Sequence, residues 1–334
     1  MAKALIGFAA LTAIAGLAAI AVLAAAAPVR FEPLLGLDAY LPVPEDNPLT
    51  AQKVALGERL FNDPLLSRDK SVSCATCHEP ENGFTDRRPT AVGVFERRGT
   101  RRVPKLVNRG YGKSFFWDGR IPTLEKQVVQ PILNELEMDL TIEESVERLR
   151  GDGEYAAAFW KAFDREVNGD DLARALASYV RTLVSGNSRY DQYVAGDRSA
   201  LSEAERAGLE IFRGKGDCTL CHLGPNLSDE QFHNTGISWK DGVFTDEGRF
   251  TVTKIERDRG AFKTPTLREV ARTAPYMHDG SLAALEDVVE FYDKGGRANP
   301  NLDREIQALR LTRAEKTALL AFLGALSGTV RAGL

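Results

Sequence analysis

Cys74-Ala75-Thr76-Cys77-His78 sets the reading of the chain, and the pattern returns as Cys218-Thr219-Leu220-Cys221-His222. Cys-x-x-Cys-His is the attachment signal for a c-type haem. Two thiols one helical turn apart form thioethers with the haem vinyl groups, and the adjoining imidazole gives a nitrogen to iron. The chain has 334 residues and 4 Cys, and the two motifs use all of them. Zinc ribbons also pair Cys-x-x-Cys units, but about 15–20 residues apart; the separation here is several times larger and suits one haem per domain. A thioredoxin-like dithiol needs a single motif in a βαβ setting, and no strand pattern flanks either motif. Cys74, Cys77, Cys218 and Cys221 are read as haem anchors, His78 and His222 as proximal iron ligands, and disulfides are not expected.

The length suits two domains. Hydrophobic residues make up 43% and charged residues 27%, which is ordinary for a chain that buries a core. The net charge of -4, with both signs interspersed, leaves no basic footprint for nucleic acid. Lys3 followed by the apolar run Ala4 to Ala27 reads as an export signal. The run is also long enough to span a bilayer, so residues 1–27 are expected to be a cleaved signal or a retained anchor, with membrane contact only in the second case. Either way the expected destination is the periplasm, which agrees with the compartment in which bacteria attach c-type haem.

Pro28, Pro33, Pro42, Pro44 and Pro48 make 28–48 an extended tether. An N-terminal haem domain then covers 49–190 and a C-terminal one 197–334. Helices are predicted over 50–61, 141–149, 154–165, 170–185, 202–212, 282–294 and 312–326. Thr141 with Glu144, Ser202 with Glu205 and Thr312 with Glu315 have the capping-box spacing that opens a helix. Gly57-Glu58-Arg59-Leu60-Phe61 before the first motif and Gly208-Leu209-Glu210-Ile211-Phe212 before the second form a weak internal repeat, as two copies of a cytochrome-c-like unit would. Residues 81–122 and 223–265 read as irregular loops, and Arg97-Arg98 and Arg101-Arg102 as a solvated charge run able to dock an acidic partner. The fold class is mainly α.

Whether a c-type haem only carries electrons depends on the sixth iron position: filled gives transfer, open gives substrate binding. There are 4 His, two of them proximal; His233 and His278 both lie in the second half. The first half therefore has no spare His, which makes the His78 haem the candidate reaction site; the alternative is a Met, such as Met138, a Lys or a backbone group in the sixth position.

Trp117-Asp118-Gly119-Arg120, Gln127, Pro131 and Glu137-Met138 resemble the N-terminal domain of bacterial di-haem cytochrome c peroxidases and MauG proteins. Thr273-Ala274-Pro275-Tyr276-Met277-His278-Asp279-Gly280 with Leu285-Glu286 resemble their C-terminal domain. The resemblance implies reaction with hydrogen peroxide at the first haem. It makes Glu137 the proton shuttle, Gln127 the group that orients peroxide, and Trp117 the relay between the haems. The family's second-haem ligand falls on Tyr292, where many peroxidases have Met; MauG and its close relatives have Tyr there. Many di-haem peroxidases also carry a distal His after the first motif, and Thr85 to Trp117 contains none. These two features imply MauG-like oxidation of aromatic side chains on a periplasmic partner protein through a high-valent di-haem state. The alternatives are a peroxide-scavenging cytochrome c peroxidase fed by a small redox protein, and a non-enzymatic electron-transfer cytochrome. His233 and His278 are expected to be hydrogen-bond or propionate partners. The family's calcium ion would be held by carbonyls at Thr273 and Pro275, but its first-domain Asn position falls on Arg102, whose charge opposes a cation; Asn108 is nearby and out of register.

Overall fold

The computed structural model describes residues 28–334. The segment 1–27, read as signal or anchor, lies outside the described residues. Among the described residues no helix is long and apolar enough to cross a membrane.

Two helical units follow one another. The first contains α1 (Ala51–Asn62), α2 (Cys74–Cys77), α3 (Leu124–Gln127), α4 (Gln130–Leu133), α5 (Ile142–Arg150), α6 (Gly153–Phe163) and α7 (Gly169–Arg181). Strand β1 (Val184–Gly186) and α8 (Arg189–Val194) lead into the second, which contains α9 (Glu203–Arg213), α10 (Phe250–Thr253), α11 (Leu285–Asp293) and α12 (Arg313–Gly324). Short strands β2 (Phe232–His233), β3 (Trp239–Lys240), β4 (Val243–Phe244) and β5 (Phe262–Lys263) punctuate its long loop, and β6 (Thr329–Arg331) ends it. β2 pairs antiparallel with β5, and β3 with β4. The three capping boxes are formed: the hydroxyls of Thr141, Ser202 and Thr312 accept from the backbone N–H of Glu144, Glu205 and Glu315.

Each unit has its own core. Val54, Leu60, Phe61, Leu172, Leu176 and Val180 belong to the first, and Leu209, Phe212, Val289, Leu319, Phe322 and Leu323 to the second. The internal repeat is the point where helices cross. A Cβ on Gly57 would fall against the carbonyl oxygen of Ala175 and lie 2.8 Å from Tyr179 Cβ. A Cβ on Gly208 would fall against the carbonyl oxygen of Ala318 and lie 2.7 Å from Phe322 Cβ. Glycine lets α1 touch α7, and α9 touch α12, backbone to backbone. One turn later, Phe61 packs on Tyr179 with ring centroids 5.2 Å apart, and Phe212 on Phe322 at 5.1 Å.

Three expectations change in detail. The helix predicted over 170–185 stops at Arg181, because Val184–Gly186 leaves to pair antiparallel with Thr329–Arg331 at the far end of the chain. The proline-rich stretch 28–48 has no helix or strand, yet it is strapped down: Pro42 accepts from Arg181 Nε at 3.1 Å, and Gly36 from Arg268 Nη2 at 2.9 Å, one tie to each unit. Arg101 and Arg102 are not a solvated run. Arg101 bonds Asp246 through two nitrogens at 2.7 and 2.8 Å and Asp118 at 2.6 Å, and Arg102 is 5% exposed.

Overpacking at either crossing pushes backbones apart. Gly57→Ala and Gly208→Ala are each expected to destabilise the di-haem protein by about 1–3 kcal/mol in urea unfolding, whereas Gly153→Ala, with open space around it, is not.

Candidate active site

Both Cys-x-x-Cys-His motifs end in the same local device. α2 is a single turn opened by Ser73, whose backbone N–H donates to Thr76 Oγ1 at 3.0 Å. It sets Cys74 and Cys77 one turn apart, and His78 N–H donates to the Cys74 carbonyl at 2.9 Å. The chain then doubles back through Gly83 to Phe84, which has φ +58, and the Phe84 carbonyl accepts from His78 Nδ1 at 2.9 Å. In the second motif His222 N–H donates to the Cys218 carbonyl at 2.9 Å, Leu227 has φ +50, and its carbonyl accepts from His222 Nδ1 at 3.0 Å. Left-handed φ is uncommon for bulky residues; here, twice, it turns a carbonyl onto an imidazole. A carbonyl only accepts, so Nδ1 carries the proton and the Nε2 lone pair is free. Burial pushes both imidazoles down to about 4, so they are neutral at physiological pH. A neutral ring with its second nitrogen held by a carbonyl is the state a metal ligand requires.

The thiols fit the same group. Burial pushes Cys74 and Cys218 up to about 12 and Cys77 to about 11. Cys221, Asp229 and His233 come close enough to hold a metal ion, but the Cys221 sulfur belongs to the second haem motif. His233 is pushed up to about 10 by hydrogen bonds to Cys221, Asp303 and Asp229, with Asp303 at 2.5 Å and Asp229 at 3.0 Å. His278 stacks on Phe262 with centroids 3.6 Å apart. Neither His lines the two cavities described next.

A cavity of ≈ 630 Å³ opens on the first motif, lined by Cys74, Cys77, His78, Gln127, Pro131 and Glu137 among others. Burial raises the Glu137 carboxyl above its ordinary range, against the opposing pull of the Asn134 amide, bonded to Oε1 at 2.7 Å, and the Arg120 charge. Asn134 is absent from the sequence reading; an Asn three residues before a Glu is too common a spacing to stand out. Gly93 lies where a Cβ would meet the Glu137 backbone, and Val94 N–H donates to the Glu137 carbonyl at 2.8 Å, which fixes the loop carrying the acid. A second cavity, ≈ 900 Å³, lies between the units and shares Gln127 and Leu106 with the first. Trp117 lines it, with its indole N–H donating to the Arg102 carbonyl at 2.9 Å. Arg102, Lys105, Arg109 and Lys263 also line it and, among the described residues, no carboxylate does, a charge balance suited to haem propionates. Tyr292 sits beside the second motif: burial, and then the Cys221 and Cys218 sulfurs, push its phenol upward. Thr273 does not present a free carbonyl, since it accepts from Arg102 Nη2 at 2.9 Å, and Pro275 lines the second cavity.

Residues 51–199 match the family described as di-haem cytochrome c peroxidase. The chain is 41% identical over 285 residues to the methylamine utilization protein MauG of Methylorubrum extorquens, spanning 85% of this chain and 80% of that protein. It is 36% identical over 302 residues to the cytochrome c551 peroxidase of Pseudomonas aeruginosa, spanning 86% and 84%. This chain belongs to the di-haem cytochrome c peroxidase and MauG family. It is a di-haem peroxidase with two covalent c-type haems. Its fold is also that of a MauG-like protein associated with microbial copper homeostasis, with a TM-score of 0.81 at 34% identity over 87% of this chain and 95% of that one.

In this di-haem peroxidase the second cavity's rim contains a repeat that sequence alone hides. Phe115 bridges Ile121 as Tyr276 bridges Leu282. Phe116 and Met277 have φ 65 and 70, and Gly119 and Gly280 φ 67 and 63. Asp118 Oδ1 accepts from Arg120 N–H at 3.2 Å, and Asp279 Oδ1 from Ser281 N–H at 3.1 Å. Helices then begin at Leu124 and Leu285. Counted from those starts, Tyr292 of the second unit corresponds to Pro131 of the first, which lines the His78 cavity. At this position of the repeat one unit carries a phenol oxygen and the other a proline ring with no side-chain donor atom. Pro131→Tyr is expected to convert the first haem to a six-coordinate low-spin centre and abolish its reaction with peroxide. An unchanged high-spin ferric spectrum would show that position 131 does not face the iron.

Proposed function

We propose that this di-haem peroxidase is exported to the periplasm, takes hydrogen peroxide in the His78 cavity, and uses it to oxidise aromatic side chains of a partner protein. The observation that carries this reading is the pairing of Tyr292 beside the second motif with Pro131 in the first cavity. The haems supply redox-active, Lewis-acidic iron. Glu137 takes the proton from one peroxide oxygen and returns it to the other, which leaves as water. With Oε1 held by Asn134, Oε2 is the atom free to carry that proton. Gln127 orients the peroxide. The balance is two electrons and two protons drawn from Trp or Tyr side chains of the partner for each peroxide reduced to two waters. Trp117, between the units, relays the electrons. Tyr292 would hold the second haem iron through a phenolate oxygen, which favours the ferric state where a Met ligand raises the potential; such a centre would suit sharing oxidising equivalents over drawing electrons from a small cytochrome.

Adding peroxide to the diferric protein with no reductant tests the reading. The optical spectra of both haems should change together and stay changed until an oxidisable protein substrate is supplied. A requirement for prior reduction, followed by fast turnover with a small redox protein, would make it a cytochrome c peroxidase instead. Tyr292→Phe should alter the second haem's spectrum alone; no change there would remove Tyr292 as a ligand.

The pH dependence follows from Glu137. As general base it must be deprotonated, and burial raises its pKa above the usual 4.5. The rate of reaction with peroxide should therefore fall as pH drops through an acidic limb displaced above the ordinary carboxylate range. Glu137→Gln should lose about 10²–10⁴-fold in that rate and flatten the limb, as measured by stopped-flow absorbance.

A further inference from the structure

The Arg102 guanidinium lies inside a cage of oxygens drawn from both units. Nη2 donates to the carbonyls of Asp86 at 2.8 Å, Thr273 at 2.9 Å and Ala274 at 3.3 Å, and Nη1 to the Arg88 carbonyl at 3.4 Å. Asp86 Oδ1 stands 3.6 Å from Nη1 and has no hydrogen-bond partner, so it faces the guanidinium as a counter-charge. Both side chains are buried, Arg102 at 5% and Asp86 at 1% exposure. Several backbone carbonyls and a carboxylate converging on one point is the arrangement by which proteins hold a hard divalent cation such as calcium. Here the point is taken by a fixed positive charge that does not dissociate and does not lose its proton. The same residue reaches further through its backbone. Its N–H donates to the His278 carbonyl at 2.7 Å, and its carbonyl accepts the Trp117 indole N–H at 2.9 Å.

We propose that Arg102 is the resident cation of the joint between the two haem units, replacing a bound divalent metal, and that it positions Trp117 between the haems. The oxygens at this site do not fit calcium while the guanidinium occupies it: an ion would need six to eight oxygens about 2.3–2.6 Å away, and two like charges would share one buried cage. The inference does not depend on what peroxide is used for, since it concerns only what holds the joint.

The test uses the di-haem holoprotein. Elemental analysis of protein purified without chelator should find no stoichiometric calcium, and neither EGTA nor added calcium chloride should move the visible spectrum or the thermal midpoint. Stoichiometric calcium, or a spectrum and midpoint that fall with EGTA and recover with calcium, overturns the proposal. Arg102→Gln should lower the thermal midpoint and change the separation between the two haem midpoint potentials in a reductive titration, and Arg102→Lys should restore part of both. A glutamine variant with wild-type potentials overturns the positioning role. If the variants fail to fold, the metal analysis and chelator series on the wild-type protein still decide whether the joint is metal-free.

Discussion

Two hydrogen bonds carry the rest of the structure, the ones from His78 Nδ1 to the Phe84 carbonyl and from His222 Nδ1 to the Leu227 carbonyl. Each fixes a tautomer, so each leaves one nitrogen lone pair aimed away from the protein's own acceptors. Each also depends on a bulky residue held at positive φ, a conformation that persists only where the surroundings over-determine it. The surroundings are the crossed helices. Phe61, one turn beyond the Gly57 crossing, lies 6.3 Å from the His78 ring, centroid to centroid. The same aromatic ring thus stands between the glycine crossing and the His78 imidazole.

The two units share this device and differ in what surrounds it. What separates them is one position in a second repeat, Pro131 against Tyr292, together with an acid in the first cavity. Glu137 is buried enough to hold its proton more tightly than an exposed carboxylate, while an amide and a guanidinium pull the other way. A group poised in this way can both take and give a proton, which is what cleavage of an O–O bond asks of it.

What could be read from the sequence was what is local. The haem motifs, the capping boxes at Thr141, Ser202 and Thr312, and the Gly57 and Gly208 repeat each depend on residues within a few positions of one another. Misreadings came from partners far along the chain. Val184 continues an apolar helical stripe, and only its pairing with Arg331 makes it a strand. Arg101 and Arg102 look like any charged loop until Asp246 and the Thr273 carbonyl are brought to them from the other unit. The repeat from Phe115 to Pro131 and from Tyr276 to Tyr292 is carried by backbone turns and an Asp-Gly pair, so most of its side chains have diverged. Gln127 and Glu137, named through resemblance, do share the His78 cavity; the carbonyl cage around Arg102 consists of main-chain atoms, which side-chain pattern does not encode.

The central claim is that the two irons differ in one respect: the one on His78 has a free face and the one on His222 does not. Quantitative low-temperature EPR of the resting diferric protein tests it most directly. The account predicts one high-spin and one low-spin ferric haem in equal amounts. Two low-spin haems would contradict it, leaving no place for peroxide to bind.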